Sequence, residues 1–231
     1  MKLIVAGATG FVGQEVIRQS LRNPDIKSVV ALTRRPVTAP AGTDASKLKN
    51  VVVKDYDQYP DEVKKEFAEA DACIWTVAIT PMKSKKFSFD EVTRVCQTSP
   101  LVGLNAMHSA GLSRPFRFLY VSGEGAERDQ SKKPSFLGQY LLMRGETENR
   151  VLAFAAEHSA EGFEVCVAKP GLISNSLATT VLGAVIKFTG FSSVSLQEVS
   201  AALLTQVTRG IEKETLESAD LLRIGQKALK A

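Results

Sequence analysis

The sequence has 231 residues, of which 44% are hydrophobic and 23% are charged, and its formal net charge is +4. This length and composition predict one globular domain and exclude a disordered chain, a collagen-like repeat and a disulfide scaffold. The basic residues are scattered and the apolar runs fall short of the roughly 20 residues that span a bilayer, so neither a nucleic-acid nor a membrane partner is indicated.

Six largely apolar runs predict the strands of a parallel sheet. They cover residues 2–6, 28–33, 51–54, 72–77, 116–121 and 163–168. Helical patterns between them cover residues 10–21, 61–69, 90–109 and 138–158, and Pro100 is expected to kink or divide the third helix. Strands that alternate with helices in this way predict an α/β fold, namely a Rossmann-type, doubly wound parallel sheet with helices on both faces.

The alternation weakens after Pro170. An apolar segment at residues 177–188 is followed by a predicted helix near residues 196–208 and a short predicted strand at residues 220–224. This tail is at the lower size limit of an independent domain. We therefore expect residues 1–231 to form a single domain, in which residues 172–231 add a small C-terminal lid on the substrate side.

The first predicted strand runs directly into a glycine-rich turn, Gly7-Ala8-Thr9-Gly10-Phe11-Val12-Gly13, and then into a helix. Gly7 and Gly10 would let the backbone approach a pyrophosphate closely, and the free N–H groups at the helix start would stabilise its charge. Gly13 would let the helix pack tightly against the strand. The pattern predicts a dinucleotide site rather than a purely structural turn, with contacts from Gly7, Thr9, Gly10, Phe11 and Val12.

The residues after the second predicted strand indicate which dinucleotide binds. A chain that prefers NAD would carry an acidic residue there for the ribose hydroxyls, whereas this chain has Thr33-Arg34-Arg35. Two guanidinium groups suit the 2′-phosphate of NADP(H), which is therefore the predicted cofactor; the alternative is a solvated basic loop. Asp55 follows the third predicted strand, where it would reach the adenine amino group or lie on the surface as an ordinary acid.

With these residues placed, the chain resembles the atypical branch of the short-chain dehydrogenase/reductase superfamily, and within it the Tat-interacting oxidoreductase-like and NmrA-like groups. The resemblance rests on the glycine turn and the arginine pair together with residues 120–127, 140–146 and 169–173. It implies that residues after the fourth and sixth strands complete the cofactor site. These residues are Val77, Ala78, Pro170, Gly171, Leu172 and Ile173.

The same resemblance implies a catalytic set of Ser122, Tyr140 and Arg144. In that superfamily a Tyr and a Lys four residues later carry catalysis, and this spacing places both side chains on one face of a helix. Tyr140 would protonate a carbonyl oxygen as hydride arrives from NADPH, while Ser122 would hydrogen-bond the same oxygen. Arg144 departs from the pattern because it keeps the charge of the Lys but cannot give up its proton.

These features predict an NADP(H)-dependent oxidoreductase that reduces a small carbonyl substrate. Two alternatives stay open: an isomerase, epimerase or dehydratase on the same fold, and a cofactor-binding regulatory or scaffold protein without turnover. A homodimer is compatible with the sequence, and the lack of a secretory signal predicts a cytoplasmic protein. No metal site is predicted from the three cysteines, and His108 and His158 are expected to be structural residues at helix ends without a recognisable partner.

Overall fold

The computed structural model of the protein describes residues 1–135, 137–175 and 192–230. Its strands are β1 (Lys2–Ala6), β2 (Ser28–Thr33), β3 (Leu48–Val52), β4 (Ala72–Trp75), β5 (Phe116–Val121), β6 (Phe163–Lys169), β7 (Leu172–Ser174), β8 (Ser193–Ser195) and β9 (Thr215–Glu217). Its helices are α1 (Phe11–Arg22), α2 (Asp61–Phe67), α3 (Pro81–Ser84), α4 (Phe89–Thr93), α5 (Ser99–His108), α6 (Gly138–Glu157), α7 (Leu196–Arg209) and α8 (Ser218–Lys230). Short 3-10 helices occur at Ala45–Lys47 and Ser159–Glu161, and a π-helical segment occurs at Arg94–Thr98.

Within the described residues, the main sheet contains seven parallel strands in the order β3-β2-β1-β4-β5-β6-β9. Strands β7 and β8 pair separately as a two-stranded parallel sheet. The chain order reverses between β1 and β4, and sheets of this kind bind ligands outside the carboxyl ends of their strands at such a point. The predicted Rossmann-type fold is confirmed.

Successive residues of the central strands face two different cores. In β1, Leu3 and Val5 lie in a core with α1, α7 and α8, whereas Ile4 and Ala6 lie in a core with α2, α5 and α6. All four side chains are fully buried. Because helices cover both faces of the sheet, the sequence of a central strand is a continuous apolar run. This is the pattern from which these strands are predicted.

The largest differences between prediction and structure lie in three elements, while the strand predicted at residues 72–77 ends at Trp75 and the helix predicted at residues 61–69 ends at Phe67. The third strand is predicted at residues 51–54, whereas β3 covers Leu48–Val52. Its residues Lys49 and Asn50 are exposed at the edge of the sheet, so the start of this strand is not apolar in the sequence. The predicted helix at residues 90–109 is helical from Phe89 to His108, but a π-helical segment at Arg94–Thr98 interrupts its α-helical hydrogen bonding just before Pro100. The predicted strand at residues 220–224 is wrong, since these residues belong to α8.

The described part of the C-terminal tail, residues 192–230, packs against the rest of the domain. Strand β9 pairs with β6 as the seventh strand, and α7 packs beside α1 with Val199, Ala202 and Leu203 fully buried. The apolar segment at residues 177–188 lies outside the described residues, so the substrate-side lid stays a prediction. No helix in the described part of the chain is long and apolar enough to cross a membrane.

Candidate functional site

The glycine turn lies at the carboxyl end of β1, beside the point where the strand order reverses. Gly7 adopts a left-handed φ of 83° and donates its N–H to the Leu32 carbonyl at 3.0 Å. Gly10 donates to the Gly7 carbonyl at 2.8 Å and begins α1 without a side-chain cap. The first turn of α1 contains no acidic residue. Its amide N–H groups and the positive helix end are therefore suited to an anion such as a pyrophosphate.

The turn is too tightly packed to accept side chains. A Cβ at Gly13 would lie 2.3 Å from the Gly7 carbonyl oxygen, and one at Gly7 would lie 2.6 Å from Thr76 Oγ1. Thr76, which the sequence analysis did not single out, donates its hydroxyl to the last carbonyl of β1 at 2.8 Å. This bond ties the turn to the end of β4, where Val77 is buried and Ala78 is exposed.

The arginine pair lies at the carboxyl end of β2. Both Arg34 and Arg35 are exposed, and neither forms an ion pair with another described residue. The Thr33 hydroxyl donates to the Arg35 carbonyl at 3.0 Å, which fixes the backbone where the pair leaves the strand. Two unpaired guanidinium groups are therefore available to an anionic ligand at this edge of the sheet.

Asp55 lies beside Arg94, a residue that the sequence analysis did not single out. Arg94 Nη1 donates to Asp57 at 2.9 Å, its Nε donates to Glu91 at 2.7 Å, and its Nη2 lies 3.6 Å from Asp55. The hydrogen bond from Arg94 holds the pKa of Glu91 below its usual range. In the sequence, the signal for this cluster is the three-residue spacing of Glu91 and Arg94, which places the two side chains next to each other on a helix. A contact between Asp55 and adenine stays a prediction.

Tyr140 lies in the first turn of α6 and is 8% exposed. Its hydroxyl donates to the Ile79 carbonyl at 2.9 Å. Burial raises the pKa of Tyr140 to about 12, although the positive charge of Arg144 acts in the opposite direction. The phenol is therefore protonated at neutral pH. It packs in a small apolar cluster with Ile79, Val92, Cys96 and Met143.

Arg144, one helical turn after Tyr140, is a buried cation. It is 3% exposed, its guanidinium carbon lies 4.9 Å from the centre of the Tyr120 ring, and its Nη2 donates to the Val121 carbonyl at 2.9 Å. Its Nη1 is buried without a hydrogen-bond partner among the described residues. A buried donor without an acceptor costs free energy. A bound molecule with an acceptor oxygen at this point would remove that cost.

Ser122 follows β5 and is bonded to a buried carboxylate rather than to Tyr140. Its hydroxyl donates to Glu148 Oε1 at 2.5 Å. Glu148 is fully buried; its Oε2 accepts from Arg128 Nε at 2.7 Å and lies 3.4 Å from Lys169 Nζ. Two cations compensate the buried charge of Glu148, as burial of a carboxylate requires. The structure thus brings Tyr140 and Arg144 together but directs the Ser122 proton to Glu148, which the sequence analysis did not single out.

We expect Glu148→Gln to lower the free energy of unfolding by about 2–3 kcal/mol, because Arg128 and the largely buried Lys169 would lose the buried carboxylate that pairs with them. Urea unfolding followed by circular dichroism measures this loss. The matched control is Glu146→Gln on the same helix, which removes only an exposed pair with Arg150 and should cost less than about 0.5 kcal/mol. Equal losses in the two variants would contradict the expected importance of the buried network.

The segment after β6 is also closely packed. A Cβ at Gly171 would lie 2.1 Å from the Ser192 carbonyl oxygen, and the Gly171 N–H donates to Ser218 Oγ at 3.2 Å. Glu124, in the loop after β5, accepts from the Ser192 N–H at 3.0 Å and from its hydroxyl at 2.9 Å. Pro170 is buried, Ile173 is partly buried and Leu172 is exposed. These residues lie at the carboxyl end of β6, on the same edge of the sheet as the glycine turn.

A family model described as NAD(P)H-binding matches residues 7–209, from the glycine turn to the end of α7. The chain belongs to the NAD(P)H-binding family. Membership in this family agrees with an anion site at the start of α1 and with exposed cations at the end of β2.

Two curated relatives of this NAD(P)H-binding protein come from fungi. Protein FMP52, mitochondrial, of Candida albicans is 26% identical over 141 residues, which cover 54% of this chain and 58% of that protein. Leucinostatins biosynthesis cluster protein T of Purpureocillium lilacinum is 27% identical over 127 residues, which cover 54% of this chain and 44% of that protein. The chain spans about half the length of these relatives. The name of the first relative assigns that protein to mitochondria, so a cytoplasmic location of this chain stays a prediction.

Solved structures similar to this NAD(P)H-binding protein share its fold. A short chain dehydrogenase from Burkholderia cenocepacia in complex with NADP has a TM-score of 0.69 and 14% identity, with 100% of this chain and 92% of that chain covered. MoeE5 in complex with UDP-glucose and NAD has a TM-score of 0.68 and 19% identity, with 94% and 75% covered. Vestitone reductase from alfalfa has a TM-score of 0.64 and 19% identity, with 94% and 76% covered. These likenesses confirm the fold that the resemblance to the short-chain dehydrogenase/reductase superfamily implied.

Proposed function

We propose that this chain is an NADP(H)-dependent oxidoreductase that reduces a small carbonyl compound, with Tyr140 as the proton donor. The observation that carries the proposal is the buried guanidinium of Arg144, whose Nη1 has no hydrogen-bond partner among the described residues. It lies one helical turn from a protonated phenol, at the carboxyl edge of a sheet whose family binds NAD(P)H. A buried cation beside a phenol serves proton transfer because it stabilises the phenolate that forms.

The residues present fit a nicotinamide coenzyme. The amides of Phe11 and Val12 in the first turn of α1 would hold the pyrophosphate, while Gly7 and Gly10 would let it approach the backbone. Arg34 and Arg35 would pair with the 2′-phosphate, and Arg144 Nη1 would donate to a ribose hydroxyl. The segment from Pro170 to Ile173 and the residues after β4 would close the nicotinamide side. When bound, NADPH supplies the hydride that reduces the carbonyl carbon.

The chain itself supplies the proton and orients the carbonyl oxygen. Tyr140 holds a proton at its hydroxyl, which the Ile79 carbonyl accepts at 2.9 Å; the substrate oxygen would take the place of that acceptor. Transfer leaves a phenolate whose charge Arg144 offsets. Ser122 polarises the same oxygen in this proposal only after its proton leaves the bond to Glu148. Tyr140 is therefore the principal donor and Ser122 the secondary one.

A cleft of about 280 Å³ next to Tyr140 supports a small and largely apolar substrate. Aromatic and aliphatic side chains from the segment after β4 and from the start of α6 form most of its wall, and Lys85 adds a positive charge. The lining residues are Ser84, Lys85, Phe87, Phe89, Val92, Leu137, Gly138, Gln139 and Tyr140. Phe136, which precedes the lining residue Leu137, and residues 176–191 of the predicted lid lie outside the described residues.

The preference for NADPH over NADH is expected to depend on the arginine pair. In the double variant Arg34→Ala, Arg35→Ala, the ratio of the two dissociation constants should shift against NADPH by about 10-fold to 100-fold, since charge-assisted hydrogen bonds to the 2′-phosphate are lost. Coenzyme fluorescence titration measures both constants. Arg209→Ala, which removes an exposed cation at the end of α7, should leave the ratio unchanged. An unchanged ratio in the double variant would remove the basis for assigning NADP(H).

A cofactor-binding regulatory protein without turnover is the second candidate. It is favoured by the fact that both proposed proton donors already have protein acceptors, Tyr140 on Ile79 and Ser122 on Glu148. An epimerase or dehydratase is a third candidate, because UDP-glucose 4-epimerase from Thermotoga maritima and the dTDP-glucose 4,6-dehydratase DesIV are among the similar structures.

One assay separates these candidates. NADPH oxidation is followed across a panel of apolar aldehydes and ketones, with product analysis of each reaction. The proposed reductase consumes one NADPH for each alcohol formed. Product formed without net NADPH consumption indicates an isomerase, epimerase or dehydratase. Tight coenzyme binding with no product from any substrate indicates the regulatory protein.

A further inference from the structure

The two histidines of the chain lie together, far from the coenzyme site. His108 ends α5 and His158 directly follows α6, and their ring centroids are 4.1 Å apart. Because the helices run antiparallel to the strands, these helix ends lie at the amino edge of the sheet, opposite the glycine turn. The expectation that both histidines lack a partner is wrong. His108 Nε2 lies 3.1 Å from Glu161 Oε2, and His158 Nδ1 lies 2.8 Å from Glu161 Oε1.

We propose that His108, His158 and Glu161 form a binding site for a divalent transition-metal ion that takes nitrogen and oxygen ligands, such as Zn²⁺. Two imidazoles and one carboxylate are a ligand set that zinc accepts, with a water molecule in the fourth position. This site is independent of the proposed function, because none of its residues lies near the glycine turn or Tyr140.

The distances between the ligand atoms fit such an ion. In a tetrahedral site with bonds of about 2.1 Å, ligand atoms lie about 3.4 Å apart. Here each histidine nitrogen is within 3.1 Å of a carboxylate oxygen, and all the ligand atoms lie within 4.8 Å of one another. An ion would therefore push each nitrogen slightly away from the carboxylate. Small side-chain rotations at a half-exposed site are sufficient for this change.

Aromatic neighbours hold the two imidazole rings in place. Phe154 contacts both, with ring centroids 5.4 Å from His108 and 4.4 Å from His158, and Phe163 lies 5.9 Å from His108. Glu161 is the last residue of a 3-10 helix, and its backbone N–H donates to the His158 carbonyl at 3.0 Å. Three ligands that are already oriented lose little conformational entropy when an ion binds.

Arg114 is the competitor of the metal ion in this site. Its Nη2 donates to Glu161 Oε2 at 3.0 Å, and its side chain is 51% exposed. An ion that binds Glu161 would displace the arginine into solvent. Removal of Arg114 should therefore strengthen metal binding rather than weaken it.

The proposed ion would cross-link the ends of α5 and α6. It would raise the thermal stability of the protein because it binds only when the three residues are brought together by folding. It would leave coenzyme affinity unchanged, since the coenzyme site lies at the opposite edge of the sheet.

The test uses the full chain without an affinity tag, treated with a chelator and then titrated calorimetrically with Zn²⁺ alone. We expect one equivalent to bind and the melting temperature to rise. Because the chain has only two histidines, both imidazole signals in a nitrogen-15 correlation spectrum should shift together as the equivalent is added. Imidazole signals that stay in place, or less than one bound equivalent, would overturn the proposal without any use of variants.

Variants then assign the ligands. His108→Asn, His158→Asn and Glu161→Gln should each weaken Zn²⁺ binding by at least about tenfold, as loss of one of three ligands requires. Arg114→Gln should strengthen it. Glu157→Gln, which changes an exposed glutamate at the end of α6, is the matched control and should bind like the wild type. Circular dichroism confirms that each variant is folded. Equal affinity in the wild type and the two histidine variants would overturn the proposed ligand set.

Discussion

The Gly13→Ala variant is expected to bind NADPH about 100-fold more weakly than the wild type, which corresponds to about 2.7 kcal/mol of binding free energy. A Cβ at this position would lie 2.3 Å from the Gly7 carbonyl oxygen and 3.1 Å from the Ala8 Cα. Both contacts are with backbone, so α1 must move away from the turn or the turn must open. Either movement misplaces the N–H groups that would hold the pyrophosphate. Quenching of protein fluorescence or enhancement of coenzyme fluorescence measures the affinity.

Two other glycine variants separate this local effect from general destabilisation. Gly10→Ala should weaken binding less, because its Cβ would meet only the Gly7 carbonyl oxygen, at 3.1 Å. Gly138→Ala should leave binding unchanged, since the nearest atom, Pro134 Cδ, is at an ordinary contact distance of 3.8 Å. Urea unfolding of each variant shows whether Gly13→Ala remains folded. Wild-type affinity in a folded Gly13→Ala protein would contradict the assignment of the turn.

The sequence predicts the centre of the sheet well because its strands are buried on both faces. β1, β2 and β5 begin and end at the predicted residues. The same reasoning fails at the edge, where Lys49 and Asn50 of β3 face solvent and carry no apolar signal. It also fails in α8, where the buried residues Leu221, Ile224 and Gly225 follow helical spacing. A short apolar run at these residues fits a strand equally well unless the spacing over the next turn is counted.

For the candidate site, too, the sequence is informative about residues that are close together in the chain and less so about contacts between distant ones. The glycine turn is local, so its residues and their conformation follow from thirteen consecutive positions. The partners of the catalytic candidates are not local. Tyr140 bonds to Ile79, and Ser122 bonds to Glu148. His108 meets His158 and Glu161 only because two chain segments, the end of α5 and the residues after α6, converge. A sequence pattern predicts which side chains belong to the site, whereas the fold determines which of them share a hydrogen bond.

Tyr140→Phe is expected to lower kcat for carbonyl reduction by about 100-fold to 10,000-fold, the usual contribution of a positioned proton donor. The coenzyme dissociation constant should stay near the wild-type value, because the Tyr140 hydroxyl bonds to the Ile79 carbonyl and the ring remains. The pH profile gives a second readout. Since burial raises the pKa of Tyr140 to about 12, the donor stays protonated above the ordinary tyrosine pKa of about 10. Loss of the Tyr140 proton should therefore lower kcat only in strongly alkaline solution.

Tyr120→Phe is the matched control, because Tyr120 is also a buried tyrosine beside Arg144 whose hydroxyl donates to a backbone carbonyl, that of Cys96, at 3.2 Å. Loss of that bond should cost about 1 kcal/mol of stability and leave kcat within a few-fold of the wild type. Each variant removes one buried tyrosine hydroxyl near Arg144, and the two differ because Tyr140, on α6, lines the cleft whereas Tyr120, on β5, does not. Equal kcat losses would trace the effect to packing around Arg144, and a Tyr140→Phe enzyme with full turnover would assign the proton to another donor.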